Sequence, residues 1–227
     1  PCGLIIRNIV WDHSDFFKTA EDYQKAFDDF REKVLKGGGW VVENDELGIM
    51  NYELPLSLSG EHNKANTFIV HEVAMNLGIS EEVFWRAVAT FQGTARRFEM
   101  KGVTKNGVTV IDDYAHHPTE IQATLKVARG TLVATRVPLA KLWVVFHPHT
   151  FTRTKTFFDD FARSFDDADH VIVLDIYGSA REAQGGVHSK DLVDAINKKT
   201  HNALHLPTIA DAVAYAREHM QKGDIII

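Results

Sequence analysis

"VTVIDDYAHHPTEIQATLKVARG", residues 108 to 130, decides how this chain is read. Val108 to Ile111 is mostly apolar and reads as a strand. A polar crowd follows at once: Asp112, Asp113, Tyr114, His116 and His117. Pro118 then opens a helical pattern that runs to Arg129, with Gly130 placed as its stop. Proline suits a first turn, because the N–H it lacks would have no partner there. A strand, a reactive loop and a helix make up the repeating unit of an α/β fold.

The unit recurs downstream. Leu142 to Phe146 and Val171 to Ile176 read as strands, with a shorter one near Ala203 to Leu206 and another at Ile225 to Ile227. Helices are predicted over Lys155 to Ala168, from Ser189 to about Asn197, and over Ile209 to Met220. In the first of these Phe158, Phe161, Ala162 and Phe165 share a face and read as core. Phe98 to Val103 and Val108 to Ile111 flank "KNG" and read as a hairpin. The alternation predicts a Rossmann-like, mostly parallel sheet covered on both faces.

The first part of the chain is more broken. Leu4 to Val10 reads as a buried strand, and Glu21 to Leu35 as an amphipathic helix stopped by Gly37 to Gly39. Trp40 to Val42 is a short strand, and Leu54 to Leu58 alternates apolar and polar residues. A helix then begins in "EHNKAN", with Phe68, Ile69, Ala74 and Leu77 inward. Ser80 caps the next one. The change of rhythm places a boundary near Gly93, giving domains 1–93 and 94–227.

The chain has 227 residues, 44% of them hydrophobic and 25% charged, with a formal net charge of -6. Such a composition is that of a globular protein. The negative balance argues against a general nucleic-acid binder. No apolar run approaches the roughly 20 residues of a membrane span, and no signal peptide is visible. A single cysteine, Cys2, excludes an internal disulfide and suits a cytoplasmic setting. The composition leaves a homo-oligomer open. The chain opens beside one apolar run and stops inside another, so it reads as a fragment.

Four strands are each followed by a polar cluster: "WDHSD", "DDYAHH", "HPHTFTRT" and "YGSARE". Ligands of open parallel sheets bind at the carboxyl ends of strands, and these clusters are rich in His, Arg and Tyr. His116 and His117 precede a helix whose first N–H groups favour an anion. The guanidinium fork of Arg153 suits a carboxylate or phosphate. Arg96 and Arg97 form a second cationic pair, and Asp113 suits ribose hydroxyls or a metal. The set points to a large anionic substrate with a divalent metal, as in phosphoryl-transfer chemistry. Two plainer readings compete: solvated arginines, and a zinc site of histidines, which lacks Cys or HExxH spacing. A metal-dependent hydrolase would rest on the second.

Five motifs occur in order: "GEHNKAN" (60–66), "GTARRFE" (93–99), "DDYAHHPTEI" (112–121), "FHPHTFTRT" (146–154) and "DIYGSARE" (175–182). Together they resemble the Mur ligases, the ATP-dependent amide-forming enzymes of peptidoglycan synthesis, and "NIVWDHSD" (8–15) resembles that family's metal-binding stretch. Within the family the chain is most similar to the ligases that join L-alanine to UDP-N-acetylmuramate. The murein-peptide recycling ligases are the near alternative, and folylpolyglutamate synthase is more distant. The resemblance implies the later part of a P-loop ATPase domain in 1–93 and the closing Rossmann-like ligase domain in 94–227. It implies ATP and Mg2+ as cofactors, UDP-N-acetylmuramate and L-alanine as substrates, and phosphorylation of the sugar's carboxylate before attack by the amine.

By the same resemblance, His13 matches a metal ligand, and His62, Asn63 and Asn66 match the adenine motif. Arg97 matches the arginine that reaches the ATP phosphates, and Asp113 an aspartate near ribose and phosphates. Tyr114, His116, His149 and Arg153 resemble the residues around the reacting carboxylate and the amine. The sequence departs from the pattern in four places. No GxxxxGK[ST] occurs in these 227 residues. Thr150 stands where some members carry arginine. Asp28 lies near the place where many relatives carry a modified lysine. The stretch from Glu43 to Gly60 is also short for the family.

Overall fold

The structure is a computed structural model that describes residues 3–14, 16–43, 60–180, 182 and 184–227. The chain divides into two compact units, Pro1–Gly93 and Thr94–Ile227. Cys2 and the alternating stretch Leu54 to Leu58 lie outside the described residues.

In the first unit β1 (Gly3–Ile6) pairs in parallel with β2 (Trp40–Glu43), joined by α1 (Ala20–Lys36). Thr19 caps α1, its side chain accepting from Asp22 N at 3.1 Å. The strand expected over Leu4 to Val10 ends at Ile6, which pairs with Glu43. α2 (Glu61–Asn76) and α3 (Glu81–Thr90) follow. Ile69 and Ala74 are buried as expected, but Leu77 is not inward: it is 65% exposed at the C-cap of α2. Ser80 occupies the N-cap of α3 without a side-chain cap bond.

The second unit is a six-stranded sheet in the order β3-β4-β8-β5-β6-β7. β3 (Glu99–Val103) and β4 (Thr109–Asp112) form the antiparallel hairpin, with a register shift between Met100 and Gly102. β5 (Leu142–Phe146), β6 (His170–Val173), β7 (Ala203–His205) and β8 (Ile225–Ile226) pair in parallel. β8 also pairs in parallel with β4. The last strand in sequence is thus inserted between β4 and β5.

Alternation along the strands sorts the two faces. Trp143, Ile172 and Leu174 pack with Ala212 of α8 (Ile209–His219). On the other face Phe146 meets Phe161 at 5.3 Å and Phe165 at 5.4 Å between ring centroids. Leu125 and Ala128 of α4 (Pro118–Thr135) are buried too, as are Leu192 and Ile196 of α7 (Ser189–Asn197). Three boundaries differ from the sequence reading. α4 passes through Gly130 and ends at Arg136, a left-handed C-cap with φ 55°. The helix expected over Lys155 to Ala168 is two short helices, α5 (Phe151–Thr156) and α6 (Phe158–Ala162), broken at Phe157. The cap of α7 is His188 rather than Ser189, whose hydroxyl donates to Leu174 O at 2.6 Å. Among the described residues no helix is long and apolar enough to cross a membrane.

Candidate active site

Because β4, β5 and β6 run parallel, the loops after Asp112, Phe146 and Val173 leave the sheet at one edge. The first two carry most of the residues singled out in this unit, and the third packs against the second.

The loop after β4 is built around Tyr114, which is half exposed. Its ring lies under two cations, with the Arg96 guanidinium carbon 4.9 Å and that of Arg97 5.5 Å from its centroid. Tyr114 N donates to Arg96 O at 2.8 Å, so backbone and ring hold the same turn. Arg96 and Phe98 sit at φ 58° and 49°, in the left-handed region. Asp113 holds this turn in place. Its carboxylate accepts from Phe98 N at 2.7 Å, from Ala115 N at 2.7 Å and from the Thr124 hydroxyl at 3.2 Å. Both of its oxygens therefore already serve the protein. His116 packs edge-on against Tyr114 at 5.1 Å, and its Nδ1 lies 2.9 Å from Tyr114 O.

The start of α4 corrects the expectation of an open anion site. His117, buried, is the N-cap, and its ring accepts from Thr119 N at 3.4 Å. Glu120 turns back to accept from His116 N at 3.1 Å and from His117 N at 3.4 Å. The protein's own groups, the His117 ring and the Glu120 carboxylate, thus already engage N–H groups at the start of α4. Glu120 also stands 4.0 Å from Arg97.

The loops after β5 and β6 are joined to each other. His149 and Tyr177 form a parallel bridge, and their rings stack at 5.0 Å with 15° between planes. Tyr177 N donates to Pro148 O at 2.8 Å. Arg153 donates from its guanidinium to His149 O at 2.8 Å. Thr150, the N-cap of α5, has φ 108°, a conformation costly for a β-branched residue. Partial burial holds the His149 ring below the ordinary imidazole range; Arg153, His116 and His147 push the same way, and Glu182 opposes them. Below the loop after β4, between α4 and the end of β5, lies a cavity of about 50 Å3, lined in part by Asp113, Thr124, Val145 and Ile227.

The remaining expected residues belong to the first unit. His13 is exposed at φ 53°, its carbonyl accepting from Phe16 N and Phe17 N. His62 and Asn63 lie in the first turn of α2 and Asn66 one turn on, all half-buried on one side of the helix. Among the described residues no group of three or more His, Cys, Asp or Glu side chains is placed to hold a metal ion, so the histidine pairs do not form a zinc site there. Sequence reading missed Tyr177 and Glu182 as partners of the site. Their signal was the motif "DIYGSARE" itself, which lies directly after a buried strand.

Residues 96–227 match the family described as Mur ligase, glutamate ligase domain. Over its whole length the chain is 33% identical to a UDP-N-acetylmuramate–L-alanine ligase of Caldanaerobacter subterraneus subsp. tengcongensis, of which the match covers 57%. It is 36% identical to the enzyme of that name from Acetivibrio thermocellus, over 99% of the chain and 43% of the relative. The chain thus spans about half the length of the curated relatives it matches. The crystal structure of UDP-N-acetylmuramate-alanine ligase from Thermotoga maritima superposes with a TM-score of 0.73 at 22% identity, over 100% of this chain and 55% of that one. A murein peptide ligase from Psychrobacter arcticus gives 0.62 at 22% identity, over 99% of this chain and 53% of the other. At that identity the two structural likenesses speak for the fold.

Proposed function

The chain belongs to the Mur ligase family, and from that premise we propose that its full-length protein joins L-alanine to the carboxylate of UDP-N-acetylmuramate in the cytoplasm. ATP is the phosphoryl donor, as the motifs of the sequence imply. The observation that carries the proposal is the convergence of Tyr114, His116, His149 and Arg153 at one edge of the parallel sheet, in a chain whose curated relatives bear that enzyme's name. In the proposed reaction a carboxylate oxygen attacks the terminal phosphorus of ATP, giving an acyl phosphate and ADP. The amine of L-alanine then attacks the acyl carbon, phosphate departs with the C–O bonding pair, and the amine loses a proton as the amide forms.

The side chains suit these demands in different ways. Carboxylate and phosphate crowd negative charge into one place, and the cations Arg97 and Arg153 offset it where bulk water would do so less specifically. The amine attacks only when unprotonated, and His149, held in its neutral form by its surroundings, is suited to take the proton. Tyr114 and His116 orient the substrate from the facing loop. Asp113 acts through the turn that carries Arg97.

The first unit bears on the nucleotide. His62, Asn63 and Asn66 offer ring and amide groups on one side of α2 that suit the edge of a purine. Magnesium is a different matter. It prefers oxygen ligands, and His13 stands in no group able to hold it among the described residues.

The test is phosphate release by the full-length protein. Release is expected from ATP only when UDP-N-acetylmuramate and L-alanine are both present. Arg153→Ala is expected to cut turnover by on the order of 10²-fold with the fold retained by circular dichroism. Equal turnover with the murein tripeptide, and no need for alanine, would overturn the assignment.

A further inference from the structure

We infer that Glu182 is a positioning residue that clamps the loop after β6 to the start of α5, and so fixes where His149 and Arg153 stand for the proposed reaction. The inference rests on that reading and adds a residue to it. One carboxylate oxygen accepts from Phe151 N at 3.1 Å and from Ser179 N at 2.9 Å. The other accepts from Thr152 N at 2.8 Å. Three backbone donors from two loops thus converge on a single side chain.

The clamp has something to hold. Two of its targets, Phe151 and Thr152, directly follow Thr150, whose φ of 108° is unfavourable for threonine. Such a conformation persists only when its surroundings over-determine it. Phe151 and Thr152 open α5, and Arg153 follows them; α5 has only six residues and little stability of its own. On the other side Tyr177 and Ser179 belong to the loop that stacks on His149. Releasing Glu182 would free both sides at once.

The clamp is also electrical. Burial raises the Glu182 carboxyl, but the backbone donors Thr152, Ser179 and Phe151 outweigh this and hold it below the usual carboxylate range, so it stays ionised. Its negative charge favours a proton on His149. The other charges facing that ring are Arg153 on α5, His116 from the loop after β4 and His147 on its own loop, all of which oppose a proton. Glu182 therefore offsets part of the cationic field at the ring.

The test combines a titration with kinetics. In the 227-residue chain, Glu182→Gln preserves an acceptor for one set of donors but removes the charge. The His149 imidazole resonance is expected to titrate at lower pH than in wild type, and the Thr152 amide to shift. In the full-length protein, turnover is expected to fall by on the order of 10²-fold for Glu182→Ala. Glu182→Gln is expected to fall between Ala and wild type, with a raised KM for L-alanine in both variants. A residue that merely supported the fold would lower the melting temperature and leave the His149 midpoint and that KM unchanged; this result overturns the inference. A shifted midpoint with unaltered kinetics overturns it too. If wild-type full-length protein releases no phosphate with both substrates present, the proposed reaction is what fails. The titration then still decides whether Glu182 governs His149.

Discussion

Asp224 offers the sharpest test of how the second unit is held together. It is 2% exposed and stands where β8 enters the sheet between β4 and β5. One oxygen accepts from Lys141 N at 2.8 Å. The other accepts from the Trp143 indole at 3.0 Å and from Gln221 N at 2.9 Å. Its own carbonyl accepts from Thr109 N at 2.9 Å. Three donors need a group that only accepts, and an ionised carboxylate supplies one.

Asp224→Asn cannot. If the amide oxygen faces Trp143 and Gln221, the NH2 group opposes Lys141 N; the other orientation orphans two donors. The cheaper choice leaves one buried donor unmet, worth about 1–3 kcal/mol, and weakens two charge-assisted bonds by about 1 kcal/mol each. A loss of about 3–5 kcal/mol is expected, large against a domain stability of about 5–15 kcal/mol. Asp224→Ala leaves all three donors unmet and is expected to cost more. The assay is urea unfolding followed by NMR. The Trp143 indole N–H reports this unit alone, since Trp11, Trp40 and Trp85 all lie in the other. A stability within about 0.5 kcal/mol of wild type, at an unchanged denaturant slope, would refute the reasoning.

Thr150 predicts opposite signs for two small substitutions. Thr150→Gly relieves the positive φ and is expected to be neutral or stabilising. Thr150→Ala keeps the strain but loses the side-chain cap to Arg153 N, and is expected to cost about 1 kcal/mol by urea unfolding. His149 and His170 together predict an acid limb of stability. Burial lowers His170 first, Lys141 and His219 add to this, and Asp169 and Asp224 oppose it. Both imidazoles thus take a proton at lower pH in the folded chain than in the unfolded one. Stability should be full above about pH 6.5, the unfolded value, and fall as pH drops toward the folded values. Urea midpoints that stay flat from pH 7.5 to 5.5, or His170 titrating at or above the free value by NMR, would contradict this.

How much of this was legible in the sequence depended on whether a feature is local. α4 begins at Pro118 and α8 spans Ile209 to His219 because apolar spacing and capping are written in neighbouring residues. Gly130 misled because an exposed interior glycine costs only about 1 kcal/mol relative to alanine. The buried Leu132, two residues on, holds the helix past it. The break at Phe157 was invisible because its cause lies 40 residues away: the ring is buried edge-on against His117 at 4.8 Å. Ser189 looked like a cap by composition, yet the carbonyl of Leu174 claims its hydroxyl. The polar clusters could be read from sequence as gathered at strand ends. That Asp113 and Glu120 accept from backbone N–H groups could not.

Strand order is the long-range feature that matters most to the candidate site. β5 and β6 are neighbours, about 5 Å apart, close enough for the loops after them to share a bridge, a ring stack and the bonds to Glu182. β4 and β5 are separated by β8, so their loops start about 10 Å apart. Across that interval His116 reaches His149 through its field rather than through a direct bond. One wall is therefore a rigid double loop carrying His149 and Arg153. The other is an independent turn, braced by Asp113, carrying Arg97, Tyr114 and His116. The gap between them is as wide as one inserted strand. That strand, Ile225–Ile226, comes from the end of the described chain, over 110 residues after β4, so no local reading of either wall could have given the distance between them.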